Sequence, residues 1–411
     1  MTQVETTTVE LHTKKITTLL WLTFAVCFLG NVLGGTASTL MSVYLPVLVK
    51  DFLGIVDEAQ VSRVSAYISG FYFIGWAFGG LALGAIGDRI GRVRSLALSI
   101  GLYGLFTFLI AFATSWEMVM LFRFFCGFGV GGMLVINTTL LSETWPEKTR
   151  AIFIGILSIG FPVGIFSSGA VNFFVSSWRQ GFMMGLIPLV LGIISFGLLQ
   201  ESAKWKTSRN QPKENKTNET IRVHRADIIN GSIIFGSMLI GLWAIFSWVP
   251  TWVQSLLIHS DGQRERGLSM MLLGAGGLSG GFLSGWVSNS LGTRKAMLLC
   301  FSGCFILSFL LFKLNSSFTT ITIIEIASLS FMFGISQGLL SVYIPLLFPV
   351  SIRATATGLC FNAGRFFTAA AVFFVGVLVT TLGGYGNSLF TFSLVFLVGL
   401  LFLLFSKKTI D

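Results

Sequence analysis

The sequence predicts an all-α membrane protein, with twelve transmembrane helices in two pseudo-symmetric six-helix bundles. Three observations carry that fold class. The first is composition: of 411 residues 54% are hydrophobic, 11% are charged and 41 are Phe, whereas soluble domains carry about 25% charged residues. Mean hydropathy is +0.83, more apolar surface than a water-soluble fold of this size can hide. The second is run length: the apolar stretches are about 20 residues long, as a spanning helix requires. The strands of a membrane barrel are about half that and alternate in polarity. The third is an internal repeat, described below. Twelve helices, short connectors and one longer loop fill the chain, which leaves no room for a large cytosolic catalytic module. Composition and length by themselves leave a membrane-embedded enzyme open.

Each helix is an apolar run between charged or turn-forming residues. The first spans about 16–47 and contains the polar stretch Gly34-Gly35-Thr36-Ala37-Ser38-Thr39, which has no acid. The second, 64–86, ends in a basic glycine-rich loop, and the third, 95–113, starts just past Arg94. Helix 4, 117–141, contains Arg123, and helix 5, 151–175, follows Arg150 and contains Gly160-Phe161-Pro162-Val163-Gly164, read as a kink and packing site. Helix 6 covers 180–199. After a polar stretch come helices 7 (228–257, with Trp243 and Trp248), 8 (268–288) and 9 (296–313). Helix 10 (319–344) contains Glu325, helix 11 (355–381) contains Arg365, and helix 12 spans 387–406.

The net charge of +10 invites a nucleic-acid reading, which the distribution of the cations opposes. With the N-terminus inside, 19 of the 27 Lys and Arg fall on the cytoplasmic side and six outside, leaving Arg123 and Arg365 within helices. That asymmetry is the positive-inside signature. It predicts a multi-pass protein of the cytoplasmic (cell inner) membrane with both termini cytoplasmic, membrane lipids as its surroundings and no nucleic-acid partner. The five cysteines fall within spans and read as small apolar fillers. Neither they nor His12, His224 and His259 show metal-ligand spacing, so no metal or cofactor is expected.

The chain matches itself. Residues 79–94, GGLALGAIGDRIGRVR, align with 280–295, GGFLSGWVSNSLGTRK, at an offset of 201. Pro146, Arg150, Ala151 and Gly155 align with Pro349, Arg353, Ala354 and Gly358 at an offset of 203. The expected organisation is an N-terminal bundle (1–200), a polar cytoplasmic linker (201–226) and a C-terminal bundle (227–411). A site between the halves, near mid-membrane and reached alternately from each side, follows from such a design. A monomer carrying both halves is the expected unit.

Gly84-Ala85-Ile86-Gly87-Asp88-Arg89-Ile90-Gly91-Arg92-Val93-Arg94 resembles the loop 2–3 signature of the major facilitator superfamily, and the resemblance covers essentially the whole chain. It implies that Asp88, Arg89 and Arg92, with Glu143, Arg150 and Arg353 at the neighbouring helix ends, form a cytoplasmic gate that latches when the protein opens outward. The alternative is a topology signal with tight turns. Asn289 stands where Asp88 stands in the first copy, so the second latch should be weaker.

Charges within spans carry the functional reading. An Arg at a helix centre costs at least about 2.5–3.5 kcal/mol without compensation. Arg365 lies near mid-membrane, with Asn362 three residues away on the same face. Its planar guanidinium matches a carboxylate. The surrounding Tyr343-Ile344-Pro345-Leu346-Leu347-Phe348-Pro349, Arg353-Ala354-Thr355 and Asn362-Ala363-Gly364-Arg365 are similar to the sialic-acid, aromatic-acid and organic-anion (metabolite:proton symporter) branches. There the helix 11 Arg is implicated in anion recognition. The structural alternative ties Arg365 to carbonyls or to Glu325. Arg123 opens a helix 4 segment resembling the family motif linked to proton coupling. Glu325 reads as a protonation switch or as a fixed structural acid. Asn31, Asn137, Gln337 and Tyr343 are polar candidates for the cavity wall, and Trp243 and Trp248 for ring stacking. Helix packing explains each of these six equally well.

The resulting expectation is a secondary active transporter that works by alternating access. Its cargo is a small organic anion such as a sugar acid, a sialate or an aromatic or aliphatic carboxylate. Proton-coupled import is expected, although the acid-free helix 1 leaves a uniporter or exchanger open. A drug or metabolite exporter of the same superfamily and a non-transporting sensor are the alternatives.

Overall fold

The computed structural model describes residues 18–54, 57–208, 224–257, 261–349 and 352–405. His12, His259, both chain termini and positions 209–223 of the linker lie outside these residues, with their share of the basic-residue count. The helices are α1 (Thr18–Leu53), α2 (Glu58–Ile90), α3 (Arg92–Ile110), α4 (Trp116–Thr144) and α5 (Glu147–Phe174). Next is α6 (Trp178–Leu198), then a short helix, Ala203–Ser208, inside the expected linker. The second half comprises α7 (Arg225–Ser255), α8 (Gln263–Leu291), α9 (Thr293–Leu314), α10 (Thr320–Leu346), α11 (Arg353–Val377) and α12 (Tyr385–Phe405). Among the described residues these twelve are long and apolar enough to cross a membrane.

Several helices outrun their apolar stretches. The first continues to Leu53, well past 47, and the second begins at Glu58 rather than 64. Hydropathy marks the part of a helix that lies in hydrocarbon, whereas backbone hydrogen bonding continues the helix into the polar layer. Asp51, on this overhang, accepts a 3.1 Å hydrogen bond from Trp178 Nε1 at the start of α6.

The repeat is visible in the packing. A Cβ added at Gly79 would collide with the Phe128 carbonyl, and one at Gly280 with the Phe331 carbonyl. Likewise Gly131 abuts the Trp76 carbonyl and Gly334 the Gly277 carbonyl. The α2/α4 and α8/α10 pairs therefore share one register, displaced by 201 on one helix and 203 on the other. Each half turns into its third helix through a glycine of positive φ, Gly91 (+111°) and Gly292 (+78°), where a side chain would be strained. Arg150 Nε donates to the Trp145 carbonyl at 3.3 Å, and Arg353 Nε to the Phe348 carbonyl at 3.2 Å, again 203 residues apart.

The connections α2–α3, α4–α5, α8–α9 and α10–α11 share one end of the bundle, which we call the basic end. The halves meet along two seams, α5 against α8 and α2 against α11, and their contacts cluster toward the opposite, far end. Gln263 Nε2 donates to the Asn172 carbonyl at 2.8 Å, Ser62 and Tyr385 share a hydroxyl hydrogen bond of 2.8 Å, and Arg266 Nε donates to the Val43 carbonyl at 2.9 Å. Toward the basic end, a Cβ at Gly155, Gly285 or Gly358 would meet nothing within 4 Å. The side-chain bonds named above thus join the halves at the far end, whereas these three glycines toward the basic end face open space.

Candidate substrate site and gates

Arg365 is twelve residues into α11, about 18 Å along its axis and near the middle of a hydrocarbon layer about 30 Å thick. It is half-buried. Its Nη1 donates to Asn362 Oδ1 at 3.0 Å, so the expected same-face pair forms. Among the described residues no carboxylate lies within ion-pair distance of it, and the alternative partner Glu325 is not engaged. Gly364 packs on Gly236 and Phe235 of α7, which positions the neighbouring guanidinium. The guanidinium reaches across the seam to Gly80 of α2, where a Cβ would lie 3.8 Å from Nη1. A mid-membrane cation thus stands between the halves, held by one neutral amide.

One turn back along α2 from Gly80 is Trp76, which belongs to an aromatic cluster drawn from both halves. Trp243 of α7 meets Trp76 edge-on at 5.1 Å, Phe73 at 5.3 Å and Phe161 of α5 at 6.0 Å. Trp76 Nε1 is buried and has no hydrogen-bond partner among the described residues. Such a cluster offers flat apolar walls and one idle donor. The sequence reading named Trp243 but missed Trp76 and Phe73. No spacing signal separates them from the other aromatic residues of the chain.

Other candidates are placed differently. Asn137 Nδ2 donates to Asn31 Oδ1 at 3.0 Å and to the Cys27 carbonyl at 3.1 Å, and Asn31 Nδ2 donates to the Leu157 carbonyl at 2.8 Å. These two buried amides tie α1, α4 and α5 together, and their hydrogen bonds serve packing. Trp248 is 0% exposed, and its Nε1 donates to the Val372 carbonyl at 3.0 Å, so its indole N–H is already engaged within the second half. Tyr343 is fully buried. Its hydroxyl and Gln337 Nε2 are buried without partners among the described residues, so α10 keeps two unused polar groups.

Arg123 and Glu325 both lie within two turns of the far-end starts of their helices, as the repeat implies, but each has its own partners. Arg123 is 3% exposed. It donates to the Ala37 and Ser38 carbonyls at 2.9 and 3.1 Å and lies 3.8 Å above the Tyr72 ring. The stretch of α1 that faces Arg123 lacks an acid, and its carbonyls serve instead. Glu325 is half-buried and accepts a 2.6 Å hydrogen bond from Asn315 Nδ2. The two residues form no ion pair.

The profile of the Major Facilitator Superfamily matches residues 27–370. The chain belongs to that superfamily. It is 27% identical over 386 residues to the cis,cis-muconate transport protein of Acinetobacter baylyi, covering 90% of this chain and 88% of that one. It is 28% identical over 378 residues to the sialic acid transporter NanX of Escherichia coli, covering 90% and 89%. Over 198 residues it is 32% identical to the 4-hydroxybenzoate transporter PcaK of Pseudomonas aeruginosa, covering 47% and 43%. The partially occluded inward-open structure of the E. coli xylose transporter XylE superposes with a TM-score of 0.76 at 16% identity, covering 95% of this chain and 100% of that one.

This superfamily member is therefore a multi-pass membrane transporter, and the residues expected at its cytoplasmic gate can be placed. Arg92 bridges two acids of its own half, with Nη1 at 2.7 Å from Asp88 Oδ1 and Nε at 3.1 Å from Glu143 Oε1. Arg150 pairs with Glu147 at 3.3 Å, and Arg89 is exposed. Among the described residues no ion pair of this group crosses to the second half. Sequence reasoning missed two buried or capping charges. Glu201 accepts from the backbone N–H groups of Arg92 (2.8 Å) and Val93 (3.1 Å), capping α3 where an anion is favoured. Arg266, counted only as an outer-loop cation, is 2% exposed. It bonds Gln254 and the Asp261 carbonyl as well as Val43 across the halves. Its position four residues into α8 gives no sign of this, because the bridge needs α1 alongside.

Proposed function

We propose that the protein moves a small unsaturated or aromatic carboxylate across the cytoplasmic membrane. The basic end is taken as cytoplasmic, so the conformation described is inward-facing. The observation that carries the reading is the Arg365 guanidinium, bridging the halves at mid-membrane with no acid to neutralise it. An anionic substrate supplies the missing charge, and a guanidinium binds a carboxylate through two parallel hydrogen bonds. The Trp76, Phe73, Phe161 and Trp243 cluster one turn away suits a planar unsaturated body. Relatives named for muconate, 4-hydroxybenzoate and sialate support the carboxylate half of the reading.

Import coupled to protons is the favoured mode. Glu325 is the proton-carrying candidate, because it is half-buried within a span and its hydrogen bond from Asn315 can be made and broken. Arg123, bound to carbonyls of α1, holds the geometry of the first bundle during the cycle. The decisive experiment is counterflow in proteoliposomes with labelled 4-hydroxybenzoate and cis,cis-muconate. Accumulation of a carboxylate, with none of its neutral amide, is expected. Equal exchange of acid and amide would remove the anion assignment, and no accumulation of any carboxylate would favour a binding-only sensor.

A further inference from the structure

On the outer wall of the first bundle, away from both seams, two hollows join. A cavity of about 510 Å³ lies between the α2–α3 turn and the short helix Ala203–Ser208, lined by Arg89, Ile90, Arg94, Glu201, Trp205 and Lys206. A groove of about 680 Å³ runs from it between α3 and α6, over Ala97, Gly101 and Leu105 on one side and Leu189, Gly192 and Phe196 on the other. Ile90 and Arg94 line both.

We propose that this joined site binds an anionic phospholipid, with the head group in the basic cavity and one acyl chain in the groove. Charge complementarity selects the head group. Glu201 is turned onto the backbone N–H groups of Arg92 and Val93, whereas Arg89, Arg94 and Lys206 make no ion pair among the described residues. Three cations therefore face a cavity whose single carboxylate is already engaged. Trp205 donates through Nε1 to the Asp88 carbonyl at 3.0 Å, which fixes the short helix against α2 and sets an indole at head-group level, where Trp is favoured.

The groove selects a chain-bearing ligand over a free anion. From Arg94 to Leu105 is about 16 Å of helix, close to one leaflet of a hydrocarbon core about 30 Å thick. Its lining is apolar and open to lipid, with Ile193 67% and Phe196 61% exposed. Its floor is a glycine contact: a Cβ at Gly192 would lie 2.5 Å from the Gly101 backbone nitrogen, whereas one at Gly101 would meet nothing within 4 Å. A larger residue at position 101 would fill the groove and leave the helix pair intact.

Native mass spectrometry of the full chain in non-ionic detergent, with equimolar dioleoyl phosphatidylglycerol and phosphatidylethanolamine, tests the site. The expected result is a preference for phosphatidylglycerol of at least about tenfold, since a single cation near a membrane surface already contributes about fivefold and three face the cavity. Arg94→Gln with Lys206→Gln should abolish that preference. Gly101→Leu should reduce phosphatidylglycerol adducts several-fold at unchanged melting temperature, and Lys295→Gln, at the equivalent position of the second half, should leave them as they are. Equal retention of the two lipids overturns the proposal. So does full retention by Gly101→Leu, displacement of the lipid by an equal concentration of glycerol phosphate, or a loss in Lys295→Gln as large as in Arg94→Gln.

Discussion

The two seams between the halves are related by the internal repeat, yet they are built for different work. Along α5 and α8 the backbones touch. A Cβ at Gly169 would lie 2.5 Å from the Gly267 carbonyl, one at Gly267 would lie 2.8 Å from the Gly169 carbonyl, and Gly274 is pressed onto the Phe166 backbone. Small residues let helices approach this closely. Along α2 and α11 side chains hold the helices apart. Gly70 receives Phe373, Tyr67 packs on that ring at 5.5 Å, and Phe78 meets Phe366 at 5.6 Å. At the offset of 203, Arg365 occupies the position of Pro162. Pro162 rests against Gly277 as an uncharged contact, whereas Arg365 brings a charge to the equivalent place. One copy of the design is a close backbone contact, and the other keeps side chains and a cation between its helices.

That contrast is tested first by removing the charge. Arg365→Ala should lower carboxylate counterflow by about 100-fold, the range expected when a charged hydrogen bond of about 3 kcal/mol is lost, while the melting temperature holds. Arg365→Lys should restore only part of it, because an ammonium lacks the fork. Next come the glycines. Gly274→Ala should destabilise the protein by about 1–3 kcal/mol through overpacking, read as a lower melting temperature. Gly80→Ala should be tolerated, since its Cβ would have only ordinary contacts, the nearest at 3.5 Å from the Gly131 carbonyl. If the two alanine variants melt alike, the seams do not differ as described.

Smaller effects sharpen the picture at the far end. Arg266→Ala removes the charged hydrogen bond to the Val43 carbonyl across the halves, a loss of about 1.5–3 kcal/mol. It should shift the population toward an opening at the far end, measured as faster alkylation of a cysteine placed at Ser62. Glu325→Gln should flatten the dependence of uptake on pH between 5 and 8 while leaving counterflow, which needs no net proton movement, near wild type. Wild-type pH dependence in that variant would assign proton coupling elsewhere.

Much of this was legible in the chain. The twelve helices follow from run length, and the two-bundle design from glycines and arginines that recur at 201 and 203. The Arg365–Asn362 pair follows from a spacing of three on one helix. Rotation was less legible. Hydrophobic periodicity reports which face meets water, but helices that are apolar all round give no such face. Asn31 and Asn137 read the same whether they point at a cavity or at each other, and Trp248 reads the same as Trp243. The contacts of Arg266 and Glu201 were also hidden, because each acts on a helix 100 or more residues away in sequence.

The central claim is that the mid-membrane guanidinium meets the negative charge of the substrate. Thermal-shift titration of purified wild type and Arg365→Ala with 4-hydroxybenzoate, and in parallel with 4-hydroxybenzamide, tests it most directly. Stabilisation by the acid alone, absent in the variant, is the expected result. A variant stabilised by the acid as strongly as the wild type would contradict it.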